Sequence, residues 1–132
     1  MVLVDTNVLV DVLQNDPQWA DWSIAQMRAQ SKLHALAINA VIYAEMSLSF
    51  TTLETLDEVV QTMALDLREI PRPALFLAAK AYAQYRRRGG SKERVLPDFF
   101  IGAHAAVEGW PLLTRDASRF RTYFPTLEVM AP

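Results

Sequence analysis

Short aliphatic runs alternate along this chain with longer stretches whose apolar residues recur every three or four positions. Val2, Leu3 and Val4 form a β-branched and aliphatic run that reads as a buried strand. Asp5, Thr6 and Asn7 then offer capping side chains before a helix over about 8–14. Asp16-Pro17 is a cap followed by proline at the first helical position and opens a helix over 18–30. Residues 33–38 read as a second strand, Asn39 as the cap of a helix to about 49, and residues 52–65 as a further helix. A short strand is expected near 67–70. Pro71 and Pro73 open a helix that ends at Arg88 with Gly89 as its stop, and Pro97 opens another, to Glu108, stopped by Gly109. Residues 111–114 read as a strand, 117–120 as a helical turn and 127–130 as a last strand. Strands alternating with helices imply crossover connections, hence an α/β fold with a parallel sheet covered on both faces. In such sheets, ligand sites lie outside the carboxyl ends of the strands.

That rule draws attention to four acids. Asp5 directly follows the first strand, and Asp116 comes two residues after the strand ending at Thr114, at the same edge of a parallel sheet. A single Asp in such a place is more often a cap or turn residue; two at one edge are harder to dismiss. Glu45 shares a helix face with Val41 and Leu48, so it sits on an apolar stripe with no Lys or Arg within a turn or two. Its plain reading is a buried salt bridge to a distant arginine. Asp98 opens a helix that is apolar on nearly every side, through Phe99, Phe100, Ile101, Ala103, Ala105, Ala106 and Val107. Gly102, one turn on, is expected to leave space beside its carboxylate. The plain reading of Asp98 is an N-terminal charge decorating the helix. Four carboxylates from distant segments repel one another unless something positive lies between them. Hard divalent cations match an all-oxygen site, so Mg2+ or Mn2+ is inferred, and with it phosphodiester hydrolysis as a reaction class.

Composition changes this picture little. The 132 residues suffice for one domain; 52% hydrophobic and 21% charged residues suit a globular protein. The absence of cysteine removes disulfides and thiolate metal sites and fits a reducing compartment. Asp5 and Asp11 interrupt the opening apolar stretch, which argues against a secretory signal, and no run approaches a membrane span, so a cytoplasmic location is expected. The formal net charge of -2 becomes +2 once the four acids are counted as neutralised by cations. Arg86, Arg87, Arg88, Lys92 and Arg94 crowd one short stretch. Charge therefore neither excludes nor favours a nucleic acid.

The segment Val2-Leu3-Val4-Asp5-Thr6-Asn7, Glu45 in a run beginning at Asn39, Leu96-Pro97-Asp98 with Gly102 and His104, and Leu113-Thr114-Arg115-Asp116 followed by Arg119-Phe120 and Phe124-Pro125 together resemble a PIN domain. More narrowly they resemble the VapC toxins of bacterial toxin–antitoxin pairs. Each motif is weak alone; the ordered set, covering nearly the whole chain, is specific. The resemblance implies a single PIN domain over 1–132, a three-layer α/β/α sandwich, and an endoribonuclease dependent on Mg2+ or Mn2+. It also implies the toxin role in a type II system, a homodimer, and inhibition by a cognate VapB-type antitoxin. By position, Asp5 and Asp98 would be the main metal ligands and Glu45 a ligand or water-positioning residue. Asp116 would complete the cluster, with Thr6, Asn7 and Thr114 as polar support.

Other features have plainer readings beside sharper ones. Ala20, Ile24 and Met27 mark a core face, with Trp19 and Trp22 displaced from it, either covering a neighbouring helix or lining an antitoxin groove. Leu75, Ala78, Tyr82 and Tyr85 form a stripe for core or dimer packing. Arg86 to Arg88 suit a helix C-terminus, or RNA phosphates. His34 and His104 are best read as structural, because His104 points away from the acids. Two rivals are a phosphatase with Asp5 as nucleophile, which wants a second Asp where Asn7 stands, and a phospho-accepting receiver, which wants a suitably placed lysine. The third is a catalytically silent PIN-like binding module.

Overall fold

The structure, a computed structural model, describes residues 1–91 and 95–132; Lys92 and Arg94 of the basic stretch lie outside the described residues. In chain order the elements are β1 (Val2–Val4), α1 (Thr6–Leu13), α2 (Ala20–Ser31), β2 (Leu36–Ile38), α3 (Ala40–Ser47), α4 (Leu53–Thr62), β3 (Leu65–Leu67), α5 (Arg72–Arg87), α6 (Leu96–Glu108), β4 (Leu112–Leu113), α7 (Ser118–Tyr123) and β5 (Val129–Met130). The strands form one parallel sheet in the order β3-β2-β1-β4-β5. The chain thus winds outward from β1 through β2 to β3, then crosses back to β4 and β5. Right-handed crossovers place the helices of the two halves on opposite faces, giving the three-layer α/β/α sandwich. Accordingly, α1 packs on α2 and α3, and α3 on α4, while α5 packs on α6 and α6 on α7. The winding reverses between β1 and β4. This is the switch point, where an open α/β sheet presents a crevice.

β1, β2 and β4 are buried throughout, with Leu3 paired to Ala37 on one side and Leu112 on the other. Fully enclosed strands explain why these runs are continuously apolar rather than alternating. The third strand begins earlier than the sequence suggests, at Leu65 rather than 67. Helix α4 stops at Thr62, and Ala64 turns the chain in the left-handed region at φ 53°, so that Leu65 pairs with Leu36. An alanine gives no warning of such a turn, which usually falls to glycine or asparagine.

Two expected stripes each lose one member, Ile24 and Leu75, while Ala20, Met27, Ala78, Tyr82 and Tyr85 pack into or against the core. Helix α2 buries Ala20, Ser23 and Met27, with Ile24 only half-buried, because the Ser23 hydroxyl is drawn inward by Asp11 at 3.2 Å. Asp16 caps the turn ahead of α2, accepting from Gln18 N and Trp19 N at 2.9 Å, and the helix proper starts later, at Ala20. Helix α5 turns Ala74, Ala78 and Ala81 to the core; Leu75 is 41% exposed. Small residues let α5 lie close against α6. No helix among the described residues is long and apolar enough to cross a membrane.

Candidate active site

The carboxyl ends of β1 and β4 lie side by side, and the residues that leave them are tied together. Asp5 N donates to Leu113 O at 2.9 Å, extending the ladder by one residue. The Asp5 side chain, 4% exposed, then does two things. Oδ1 caps α1 by accepting from Thr6 N at 2.7 Å, and Oδ2 accepts from the Thr114 hydroxyl at 2.8 Å. Thr114 is fully buried and receives Asp116 N on the same oxygen at 3.2 Å, which folds the loop after β4 back on itself. Asn7 braces that loop: its Oδ1 accepts from Arg115 N at 3.2 Å, and its Nδ2 approaches the Thr114 hydroxyl at 3.4 Å.

The second layer of contacts brings in the helices. Thr6 donates its hydroxyl to Glu45 Oε1 at 2.6 Å. Glu45 stands on α3, whose start is fixed by Asn39 accepting from Ile42 N at 3.0 Å. The distant arginine expected on the plain reading of Glu45 does not appear among the described residues; a threonine hydroxyl holds it instead. Asp98 lies in the first turn of α6, half-buried, with Oδ2 2.6 Å from Arg119 Nη1. Asp116 is exposed at the mouth. Hydrogen bonds thus link Asp5, Thr6, Asn7, Glu45 and Thr114, and Asp116 through its backbone, whereas the carboxylates of Asp98 and Asp116 join them through charge alone.

That charge is large. Burial, with the nearby Asp98 and Glu45 carboxylates, pushes Asp5 up to about 7 against the downward pull of its Thr114 and Thr6 hydrogen bonds. Asp98 is also raised, first by burial and then by Glu45 and Asp116, although Arg119 pulls the other way. The four acids therefore feel one another. The donor set is all hard oxygen, which suits Mg2+ or Mn2+ in kind. In spacing, no three of the acidic or histidine side chains among the described residues converge as a metal-holding group, and Asp98 is turned towards Arg119.

Sequence reasoning missed Arg119 and a buried pair beside the site. Asp11, 2% exposed on α1, lies 3.0 Å from Arg115 Nε, and Arg115 stacks over Trp19 at 5.7 Å. The Arg115–Asp11 contact clamps the loop carrying Thr114 and Asp116 onto α1. The argument that flags Glu45 would have flagged Asp11 too, since Asp11 shares its helix face with the buried Val8. Gly102 does not open space by Asp98: a Cβ there would lie 2.5 Å from the Phe124 ring, so the missing side chain lets α6 receive Phe120 and Phe124. His104 is buried, with Nδ1 3.1 Å from Asn39 Nδ2, and burial lowers its pKa despite Glu108; His34 is exposed elsewhere. They form no catalytic pair. Arg86 folds onto Gly90 O at 2.8 Å, as a helix-end residue does.

The fold is a doubly wound α/β sandwich with acids gathered at its switch point. Residues 2–124 match the model of the PIN domain, and the chain belongs to the PIN domain family. No curated protein matches it in sequence. Its fold is similar to a chain of VapBC2 from Rickettsia felis, solved bound to a DNA fragment from their promoter, with 18% identity and a TM-score of 0.75 over 99% of this chain and 98% of that one. It is also similar to VapBC-1 from nontypeable Haemophilus influenzae (17% identity, TM-score 0.72, 99% and 98% covered) and to DNA-bound VapBC from Salmonella typhimurium (19%, 0.71, 98% and 96%). At these identities the likeness is one of fold.

Proposed function

We propose that this single PIN domain, residues 1–132, is a divalent-metal-dependent endoribonuclease and the toxin half of a type II toxin–antitoxin pair. PIN domains are generally nucleases, which supports the hydrolytic class. The observation that carries the reading is Asp5: a carboxylate buried at the switch point, within electrostatic reach of Glu45 and Asp98, and without a basic partner of its own among the described residues. Asp5 and Asp98 would hold Mg2+ or Mn2+, with Glu45 and Asp116 completing the negative pocket. When bound, such an ion supplies activation of water and stabilisation of the departing oxygen. Thr114 and Thr6 aim the Asp5 and Glu45 carboxylates, and Glu45 would serve as a ligand or water-positioning residue. Asn7 occupies the position where a phosphatase would need its second Asp, and both ends of its amide are spent on the loop after β4. That disfavours the Asp-nucleophile rival.

The deciding experiment is cleavage of defined RNAs with Mg2+, with Mn2+ or with EDTA. Cutting with either metal and none in EDTA is expected; undiminished cutting in EDTA sinks the mechanism, and intact RNA with every metal leaves the silent binding module standing.

An apolar groove between α1, α2 and α4 supports an antitoxin partner. One cavity of about 430 Å³ is lined by Val12, Ile24, Met27 and Met63, and a neighbouring one of about 350 Å³ by Leu13 and Val59. It fits the apolar face of a helix, the common way a groove takes a peptide. Trp19 and Trp22 do not line it: they meet edge-on at 6.2 Å, and Trp22 packs against the core. Ile24→Asp is therefore expected to weaken binding of a VapB-type antitoxin by tenfold or more, ~1.4 kcal/mol, in a calorimetric titration. Equal affinity in a folded variant would remove the groove from the partner's footprint. The homodimer and the cytoplasmic location remain part of the same proposal.

A further inference from the structure

Within the acid cluster, one cation touches a carboxylate among the described residues. Arg119 Nη1 reaches Asp98 Oδ2 at 2.6 Å, while the guanidinium carbon lies 5.5 Å from the centre of the Tyr85 ring. Tyr85 is itself wedged against Phe99 at 5.4 Å and Tyr123 at 5.8 Å, so the platform beneath the guanidinium is fixed by core aromatics. The other arginine of this region, Arg115, is held by Asp11, a carboxylate 2% exposed, and so is anchored on α1. The Arg119–Asp98 pair differs. Its side chains are 33% and 30% exposed, so the pair is open to solvent and can part without disturbing the core. Solvent-accessible pairs of this sort contribute at most about 1 kcal/mol. A polyanion approaching four acids also needs a cation at the rim.

We propose that Arg119 works in two positions. In the metal-free protein it is the counter-charge of Asp98, which keeps the acids from converging. When Asp98 exchanges the guanidinium for a divalent ion, Arg119 stays stacked on Tyr85 and takes a phosphate oxygen of the RNA, a partner that guanidinium recognises with paired donors. This rests on the nuclease reading above for its substrate, but not for its exchange with metal.

Arg119→Gln separates the two. In a calorimetric Mn2+ titration without RNA, the variant is expected to bind about two- to fivefold more tightly, since a competitor worth up to about 1 kcal/mol is gone. In RNA cleavage, KM is expected to rise roughly tenfold with a smaller change in kcat, and the slope of log(kcat/KM) against log salt should flatten by about one phosphate contact. Arg119→Lys, which keeps the charge, should restore most of the salt slope. Mn2+ affinity that is unchanged or weaker overturns the exchange, and a parental KM and salt slope overturn the phosphate contact. A parent protein that cuts no RNA with any metal sinks the nuclease reading and the phosphate contact with it; the Mn2+ titration still reads the exchange.

Discussion

Asp5→Asn is expected to abolish metal-dependent cleavage while raising the melting temperature of the metal-free protein at pH 8. Asp5 has an ordinary pKa of 3.8 and sits at about 7 in the fold, chiefly because it is buried. Between those values the folded chain keeps a proton that the unfolded chain releases. Stability therefore falls as pH rises through this window and levels off above it. The gap corresponds to on the order of 4 kcal/mol at its upper bound. Asparagine keeps the shape without the charge and can still accept from Thr6 N, so about 2 kcal/mol should return, a rise of roughly 5 °C for a domain of this size. Cleavage should fall by more than about 100-fold, since even partners that merely orient metal ligands cost 10–100-fold when removed. Thermal melts of both proteins from pH 4 to 8, with and without Mn2+, test this. Mn2+ should stabilise the parent most at high pH, because the ion needs the ionised carboxylate. Parallel melting profiles for parent and variant would refute the account.

Thr114→Val should be the next most damaging change. The hydroxyl lies fully buried between Asp5 Oδ2 and Asp116 N, at 2.8 Å and 3.2 Å. Valine has nearly the same shape but strips a partner from a buried carboxylate and from a backbone N–H, a loss of about 2 kcal/mol. The hydrogen bond from Thr114 also holds the Asp5 pKa down, so its removal sends Asp5 higher and shifts the pH optimum of cleavage to the alkaline side. Activity near neutrality should drop roughly 10- to 100-fold. Thr114→Ser retains the hydroxyl and should rescue both properties. A valine variant as active as the parent, or a serine variant as impaired as valine, contradicts the assignment.

What the sequence discloses and what it hides follow from how local each signal is. The strand at Val2, the caps at Asp5 and Asn39 and the prolines at 71, 73 and 97 act on their own neighbours, so the order of elements and the parallel sheet are readable. The edge rule then places Asp5 and Asp116 without any contact being known. Local signals fail at Ala64, whose left-handed turn is imposed by the pairing of Leu65 with Leu36, a tertiary demand. They fail again at Gly102, where a glycine read as room for the site is room for Phe120 of α7 and Phe124 just after it. The partner of Asp98 is out of reach for the same reason: Arg119 lies 21 residues away, across two helices that have no reason in sequence to meet. Leu75 shows the limit of periodicity, since a three-to-four spacing carries the stripe through Ala78, Tyr82 and Tyr85 but does not reveal that its first member stays exposed.

The bond between Asp5 and Thr114 closes a loop of 109 residues at the very middle of the sheet, where β4 slides in beside β1. That seam needs residues from both ends of the span, and parallel pairing across it is slow. A half-folded copy thus carries its acids in pieces. The topology holds back assembly of the acid cluster until the two halves of the sheet have met.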